Sequence, residues 1–285
     1  MTVRSPPNRG WRRRAIRSNL LLLLVAGSSA CGHRAEILSF EAYQHHPHRV
    51  PYVLELQVGY ARLLYFGSRH SYDPADPQMA QIEAEWSSFR PTRAFNEGGN
   101  PPVASSRDEA IAHDGEAGLL RYLAARDGIE IASLEPSRAD EVAHVSGEFS
   151  PEQIKLFYVL REIPEMRAKV AVEPLTAYEE RSLRFHSRVQ ALAGSPSTPA
   201  ELEAACVRLL PPLQRCDLVP QSWFDPAPDE PTKAYTNLLS RRISEFRDAH
   251  MVSLLERALQ GQSRVMAVVG SSHVVMQEPA LRARQ

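Results

Sequence analysis

Two continuous apolar runs near opposite ends of the chain stop at the same four-residue pattern. Leu63-Leu64-Tyr65-Phe66 runs into Gly67-Ser68-Arg69-His70, and Val265-Met266-Ala267-Val268-Val269 runs into Gly270-Ser271-Ser272-His273. A short apolar run without polar alternation fits a strand covered on both faces. A glycine at its end lets the backbone turn sharply. The histidine then stands in the loop beyond the strand's carboxyl end, where open α/β sheets hold ligands. One G-x-x-H is a weak signal. Two copies, each closing an apolar strand, outweigh the reading in which both are loop histidines with structural hydrogen bonds.

The stretch between them supplies the rest of an α/β pattern. Residues 53–58 alternate apolar and polar, as a half-buried strand does. Residues 76–89 have helical spacing, with Met79, Ile82 and Trp86 on one face. Residues 92–96 read as a short strand. Ser106 with Glu109 forms a capping box for a helix that stops before Gly128. Gly115 and Gly118 weaken the middle of that helix. Residues 129–134 form another strand. The order β-β-α-β-α-β predicts a central, mostly parallel sheet with crossover helices. The region 137–232 differs: it reads as helices and proline-rich irregular chain, a helical insertion in a single domain spanning 51–285. Within it, Pro164 should split a helix over 150–168, which starts well at Ser150-Pro151. A long amphipathic helix over 235–261 leads to the last strand.

The first thirty residues read as a signal peptide. They hold six arginines and no acid, then a short apolar run from Leu20 to Ala26, then small residues before Cys31. That run is too short to cross a bilayer core. The position of Cys31 resembles a lipobox, so the expectation is lipidation at Cys31, a linker over 31–50, and a membrane-anchored protein of the bacterial envelope. It would face the periplasm or lie at the surface. Plain secretion is the alternative. The whole chain has formal charge −1, so loss of six arginines leaves the remainder near −7. That balance argues against a nucleic-acid partner. In an oxidising compartment Cys206 and Cys216 are expected to form a disulfide, against which stands a pair of buried free thiols. His45, His46 and His48 beside Pro47 read as a solvated loop more readily than as a metal tract.

Carboxylates fall at similar places in the pattern. Glu97 follows the strand over 92–96, and Glu135 ends the strand over 129–134. Two histidines and a glutamate make a sensible set for a divalent metal ion that acidifies a bound water. Glu116, inside the glycine-interrupted helix, is a candidate general base or an acid that orients a neighbour. Arg247, in the long helix, is a candidate for binding an anionic group or orienting a carboxylate. Helical Arg121 and Arg161 are candidates to pair with these acids. Each of these charged residues also has a bland reading as a solvated side chain.

At these residues the chain resembles the TraB/Tiki group, within the superfamily that also contains erythromycin esterase and the haem-binding lipoprotein ChaN. The resemblance rests on Gly67 to His70, on Glu97, on Arg247-Asp248 in a helix, and on Gly270 to His273. It implies an α/β fold with both histidines and the glutamate facing one cleft. From the Tiki side it implies a metal-dependent peptidase with His70, Glu97 and His273 as ligands. From the erythromycin esterase side it implies hydrolysis by similarly placed histidines without a required metal. From the ChaN side it implies a lipoprotein that binds haem, with Tyr72 joining the histidines as a candidate ligand. Arg69 and Ser71-Tyr72-Asp73-Pro74 depart from the more apolar residues usual around the first histidine. The expected activity is hydrolysis of a peptide, ester or amide bond, with a small molecule or peptide as substrate. Haem or iron-ligand binding is the rival, and a domain that only binds another protein is a third possibility.

Overall fold

Alternate residues of the central strands point to opposite faces, and both faces are apolar. Leu63, Tyr65, Val265, Ala267 and Val269 are buried on one side, and Leu64, Phe66, Met266 and Val268 on the other. A computed structural model describes residues 1–2, 36–168, 174–194, 196–211, 213–228 and 234–285. The signal segment and Cys31 lie outside the described residues. Residues 34–285 form one compact unit.

The chain begins this unit with a short helix, α1 (Phe40–Gln44), then an antiparallel hairpin of β1 (Tyr52–Val58) and β2 (Ala61–Ser68). Helix α2 (Pro77–Phe89) leads to β3 (Arg93–Asn96), and α3 (Arg107–Asp127) leads to β4 (Glu130–Ser133). Five helices follow: α4 (Arg138–Val145), α5 (Pro151–Leu160), α6 (Ile163–Ala168), α7 (Leu175–His186) and α8 (Pro199–Leu209). Short 3₁₀ turns lie at Gln190–Leu192, Cys216–Leu218 and Gln221–Phe224. The chain returns through α9 (Tyr235–Ala258), β5 (Arg264–Gly270) and α10 (Ser271–Arg282).

The sheet order is β1-β2-β5-β3-β4, parallel except at the β1 edge. The fold is therefore α/β with a mostly parallel sheet. The last strand is inserted between β2 and β3, so the motifs from the two chain ends become neighbours. Ser68 pairs with Gly270 in register. Helices α2 and α3 cover one face; α9 and α10 cover the other.

The helices of the middle region pack around their own apolar cluster, which includes Val142, Ile154, Phe157, Leu183 and Leu202. The first half of α9 joins that cluster through Leu239 and Ile243, while its second half packs on the sheet through Met251 and Leu255. Arg247 and Asp248 lie where α9 passes from one core to the other. Ser150 forms a full capping box with Gln153, and the chain breaks between α5 and α6 just before Pro164.

Several expectations change in detail. Ser106 caps α3 through the Glu109 N–H, but Glu109 reaches back to the Ser105 N–H rather than to Ser106. Cys206 and Cys216 are buried free thiols in place of the expected disulfide. Contact with Cys206 and burial push the Cys216 thiol far up, and its Sγ–H donates to the Leu202 carbonyl at 3.5 Å. The chain after β5 is helical from Ser271, so His273 occupies the first turn of α10 rather than a loop. The glycine requirement at Gly67 is also of another kind. Gly67 is inside β2, and a Cβ there would lie 2.8 Å from the Ser271 Cα and 3.0 Å from the Tyr52 carbonyl oxygen. Close approach of α10 to β2, not a sharp turn, excludes a side chain.

Gly67→Ala should therefore destabilise the fold by about 1–3 kcal/mol through overpacking against backbone. Gly147→Ala, where a Cβ meets nothing within 4 Å, should change stability by no more than about 0.5 kcal/mol. Urea midpoints of the two variants check this contrast.

Candidate functional site

In a parallel sheet all carboxyl ends point the same way. Here β2, β5, β3 and β4 deliver, in order across the sheet, His70, His273, Glu97 and Glu135 to one edge. Glu97 continues the sheet by one residue, since its N–H donates to the Val268 carbonyl at 3.1 Å. The side-chain amide of Asn96 donates to the carbonyls of Glu97 and Gly99, both at 2.8 Å, which fixes the Glu97-Gly98-Gly99 loop. Arg121 holds the continuation of this loop through Pro101 and Asn100, so its expected pairing with the site acids is not what it does.

Glu97 is the hub of a charge network. One carboxylate oxygen accepts from the Gly270 N–H at 2.8 Å. The other accepts from the Arg247 guanidinium at 2.8 Å and lies 3.4 Å from His273 Nε2. Arg247 also pairs with Glu135 and lies 3.9 Å from Glu141. His273 Nδ1 meets Asp248 at 2.7 Å. The same Asp248 oxygen accepts from the Gln277 amide at 2.7 Å, and Gln277 Oε1 accepts from the Tyr65 hydroxyl at 2.9 Å. Burial alone would disfavour charge at Glu97 and His273. It loses to the pairing in both cases. His273, Arg247 and the Gly270 N–H hold the Glu97 carboxyl well below the usual carboxylate range. Glu97 and Asp248 push the His273 imidazole up from 6.5 to about 10. Both are therefore ionised at neutral pH.

His70 forms a second, more open arm. Its side chain is 66% exposed, with Nδ1 at 3.8 Å from Glu116. Glu116 is buried, and its other oxygen accepts from the Ser71 N–H and the Gln78 amide, both at 2.9 Å. Gln78 also bonds both backbone groups of Arg69, while the Arg69 guanidinium forks onto Asp76 at the start of α2. The loop carrying His70 is thus pinned from two sides. Gly115 breaks α3 with φ +55°, and a Cβ there would meet the Ser71 carbonyl oxygen at 2.9 Å. The break lets the start of α3's second half approach the His70 loop and present Glu116. Pairing with Glu116, then the charge of Glu97, raise the His70 pKa against the opposing effect of burial.

The two arms meet over Gly270. A Cβ built there would lie 3.1 Å from His70 Nε2 and 3.5 Å from a Glu97 oxygen. A cleft of about 440 Å³ opens above this point, lined by His70, Tyr72, Glu97, Glu116, Glu135 and Arg247 from the sheet side. Arg161, Glu162 and Glu165 of the helical region line it as well. His273 lies beneath Glu97 and is not part of the lining. The structure thus brings His70, Glu97, Glu116, Glu135, Arg247 and Tyr72 around one cleft. His45, His46 and His48 lie elsewhere, at the end of α1 and beyond it.

The arrangement of His70, Glu97 and His273 is that of an ion-pair network rather than of three ligands around a cation. Both ring nitrogens of His273 face carboxylates. Both oxygens of Glu97 are engaged, one of them by a guanidinium that already supplies positive charge. No group of three His, Cys, Asp or Glu suited to a metal occurs among the described residues.

Asp248, Gln277 and Gln78 complete the site without having been singled out as catalytic or binding candidates. Asp248 lies on the buried stripe Asp248–Met251–Val252–Leu255 of α9, a polar residue on an apolar face. Gln277 is four residues from His273, a spacing that means one helix face once α10 is known to be a helix. No known protein family, curated protein or solved structure matches this chain.

The network makes stability depend on pH with a definite sign. His273, raised on folding, contributes stability that is full below its unfolded pKa near 6.5 and is lost as pH rises through about 10. Glu97, lowered on folding, contributes stability present above the ordinary carboxylate range and lost as pH falls through its depressed value. In urea titrations at stepped pH, the wild-type midpoint should fall between pH 6.5 and 10, and His273→Gln should flatten that fall. An alkaline slope unchanged by the substitution would contradict the assignment.

Proposed function

We propose that this protein hydrolyses an ester or amide bond, with His70 as the general base and without a required metal. The observation that supports this reading is the division of labour between the two arms. His70 is exposed to the cleft and backed by a buried carboxylate, while Glu97 is held so firmly ionised that it is a poor proton acceptor. A water entering the space over Gly270 can hydrogen bond to both. Glu97 orients it, and His70 Nε2 takes its proton as the oxygen attacks a carbonyl carbon. Glu116, 3.8 Å from His70 Nδ1, stabilises the imidazolium that forms, as a carboxylate does behind a catalytic histidine. The protonated His70 then gives its proton to the leaving oxygen or nitrogen. Arg161, from the helical region, is a cation of the opposite wall that can face developing negative charge.

The surroundings of Glu97 serve this chemistry indirectly. Arg247, His273 and the Gly270 N–H keep its charge fixed, and Asp248 with Gln277 and Tyr65 keeps His273 in place. Haem binding is less well supported: Tyr72 and His70 line the cleft, but His273 is committed beneath Glu97 and does not reach it. The anchoring of the protein to the bacterial envelope through Cys31 stays part of the proposal, with a peptide or small envelope molecule as substrate.

A panel of p-nitrophenyl esters and p-nitroanilides offered to the full chain tests the reading. His70→Ala should lower kcat about 10²–10⁴-fold, the usual contribution of a positioned base, without loss of fold. The activity requires neutral His70, so its acid limb should lie above pH 6.5. Glu116→Gln removes the negative partner that raises the pKa, and the limb should move to lower pH. Activity that survives exhaustive chelation fits the proposal. Activity abolished by chelation and restored by zinc or manganese would overturn the metal-free mechanism, and a panel with no hydrolysis at all would overturn the hydrolase reading.

A further inference from the structure

A second cavity, of about 290 Å³, lies within the helical region and shares Arg161 and Glu162 with the cleft. Its chemistry differs from that of the cleft. Three guanidinium groups line it, those of Arg138, Arg161 and Arg181, against the single lining carboxylate of Glu162. Between them are aromatic faces. The His186 imidazole stacks on Tyr158 with centroids 5.2 Å apart and planes 18° apart. Arg138 lies 4.0 Å over the Tyr158 ring, Arg181 5.6 Å over Tyr178, and Phe185 meets His186 edge-on.

None of these three guanidinium groups is without a partner of its own. Glu162 pairs with Arg161 at 2.7 Å, and Glu141, behind the cavity wall, pairs with Arg138. His186 adds nothing positive: burial and the nearby Arg138, Arg161 and Lys155 push its pKa down to about 3, so it is neutral. Its Nδ1 is buried without a hydrogen-bond partner, an arrangement that stacking alone does not explain. A polar group so placed in a wall of planar rings suits a site built for recognition more than one built for stability.

We propose that this cavity is a binding site for a small planar organic anion, an aromatic carboxylate in chemical class, distinct from the hydrolytic cleft. The guanidinium fork matches a carboxylate in two parallel hydrogen bonds, and guanidinium planes and aromatic rings both stack on a flat π-system. The volume suits the class. Benzene occupies an engineered cavity of about 150 Å³, so 290 Å³ has room for a substituted ring with a carboxylate. Inorganic phosphate would engage the arginines but leave the aromatic faces bare. A neutral ring would stack but bring no carboxylate to the guanidiniums.

The probe is salicylate, titrated into the full chain by calorimetry, with salicylamide as its neutral analogue and inorganic phosphate as its non-aromatic one. Saturable binding of salicylate at about 1 mM or tighter is expected, at least tenfold stronger than either analogue. Arg181→Gln, an exposed position on α7, should weaken it about tenfold while circular dichroism and thermal midpoint stay unchanged. His70→Ala should leave it unchanged, which separates this site from the cleft and its fate from that of the hydrolase reading. The proposal is overturned if salicylate does not bind saturably, if salicylamide or phosphate binds equally well, if Arg181→Gln binds as tightly as wild type, or if His70→Ala abolishes binding.

Discussion

The structure depends on keeping one largely enclosed carboxylate, Glu97, ionised. A lone charged group taken out of water costs several kcal/mol, and a buried pair broken on one side loses about 3–5 kcal/mol. Glu97 is enclosed at the carboxyl ends of β3 and β5, yet it has two cations and a backbone N–H directed at it. Each of the two cations is in turn held by another carboxylate: Arg247 by Glu135, His273 by Asp248. Removing Arg247 or His273 leaves the Glu97 charge less compensated in a largely enclosed place. The network therefore constrains where β5, α9 and α10 sit relative to β3.

That constraint explains why the chain inserts its last strand in the middle of the sheet. With β5 between β2 and β3, Gly270 lies beneath the junction of the His70 and Glu97 arms, and α10 begins where His273 reaches both Glu97 and Asp248. The same placement forces α10 against β2 at Gly67, which is why the first motif has a glycine there. Helix α9 ties the helical region to the sheet, and Arg247 and Asp248 stand at its crossing point. The helical region in turn supplies Arg161 and Glu162 to the cleft. Sheet, helical region and site are thus linked through α9, by apolar side chains toward its two ends and by Arg247 and Asp248 between them.

Much of the sheet was legible because its strands carry clear periodicity. The unbroken apolar runs at Leu63–Phe66 and Val265–Val269, the alternation over 53–58 and the Ser150 capping box all state local structure by side-chain pattern alone. The convergence of His70, Glu97 and His273 on one edge was legible for the same reason, since all follow strand ends. What their charges do there was not. Spacing cannot show that Arg247 arrives from 150 residues away to occupy Glu97, or that Asp248 makes His273 a cation. Helix α10 was hidden by its Gly-Ser-Ser start and by Pro279 inside it, so Gln277 was invisible as a partner of His273's partner. The kink at Gly115 was readable as a weakness in α3, but its purpose, bringing Glu116 to the His70 loop, is a tertiary fact.

The central claim is that the two motif histidines have opposite jobs: His273 is a fixed cation and His70 a titrating base. Nitrogen NMR of the imidazole rings, followed from pH 5 to pH 10.5, measures both at once. The account predicts that His273 keeps imidazolium shifts until pH approaches about 10, while His70 titrates above 6.5. A His273 ring that deprotonates near 6.5, or one whose shifts change on adding zinc at neutral pH, would contradict it.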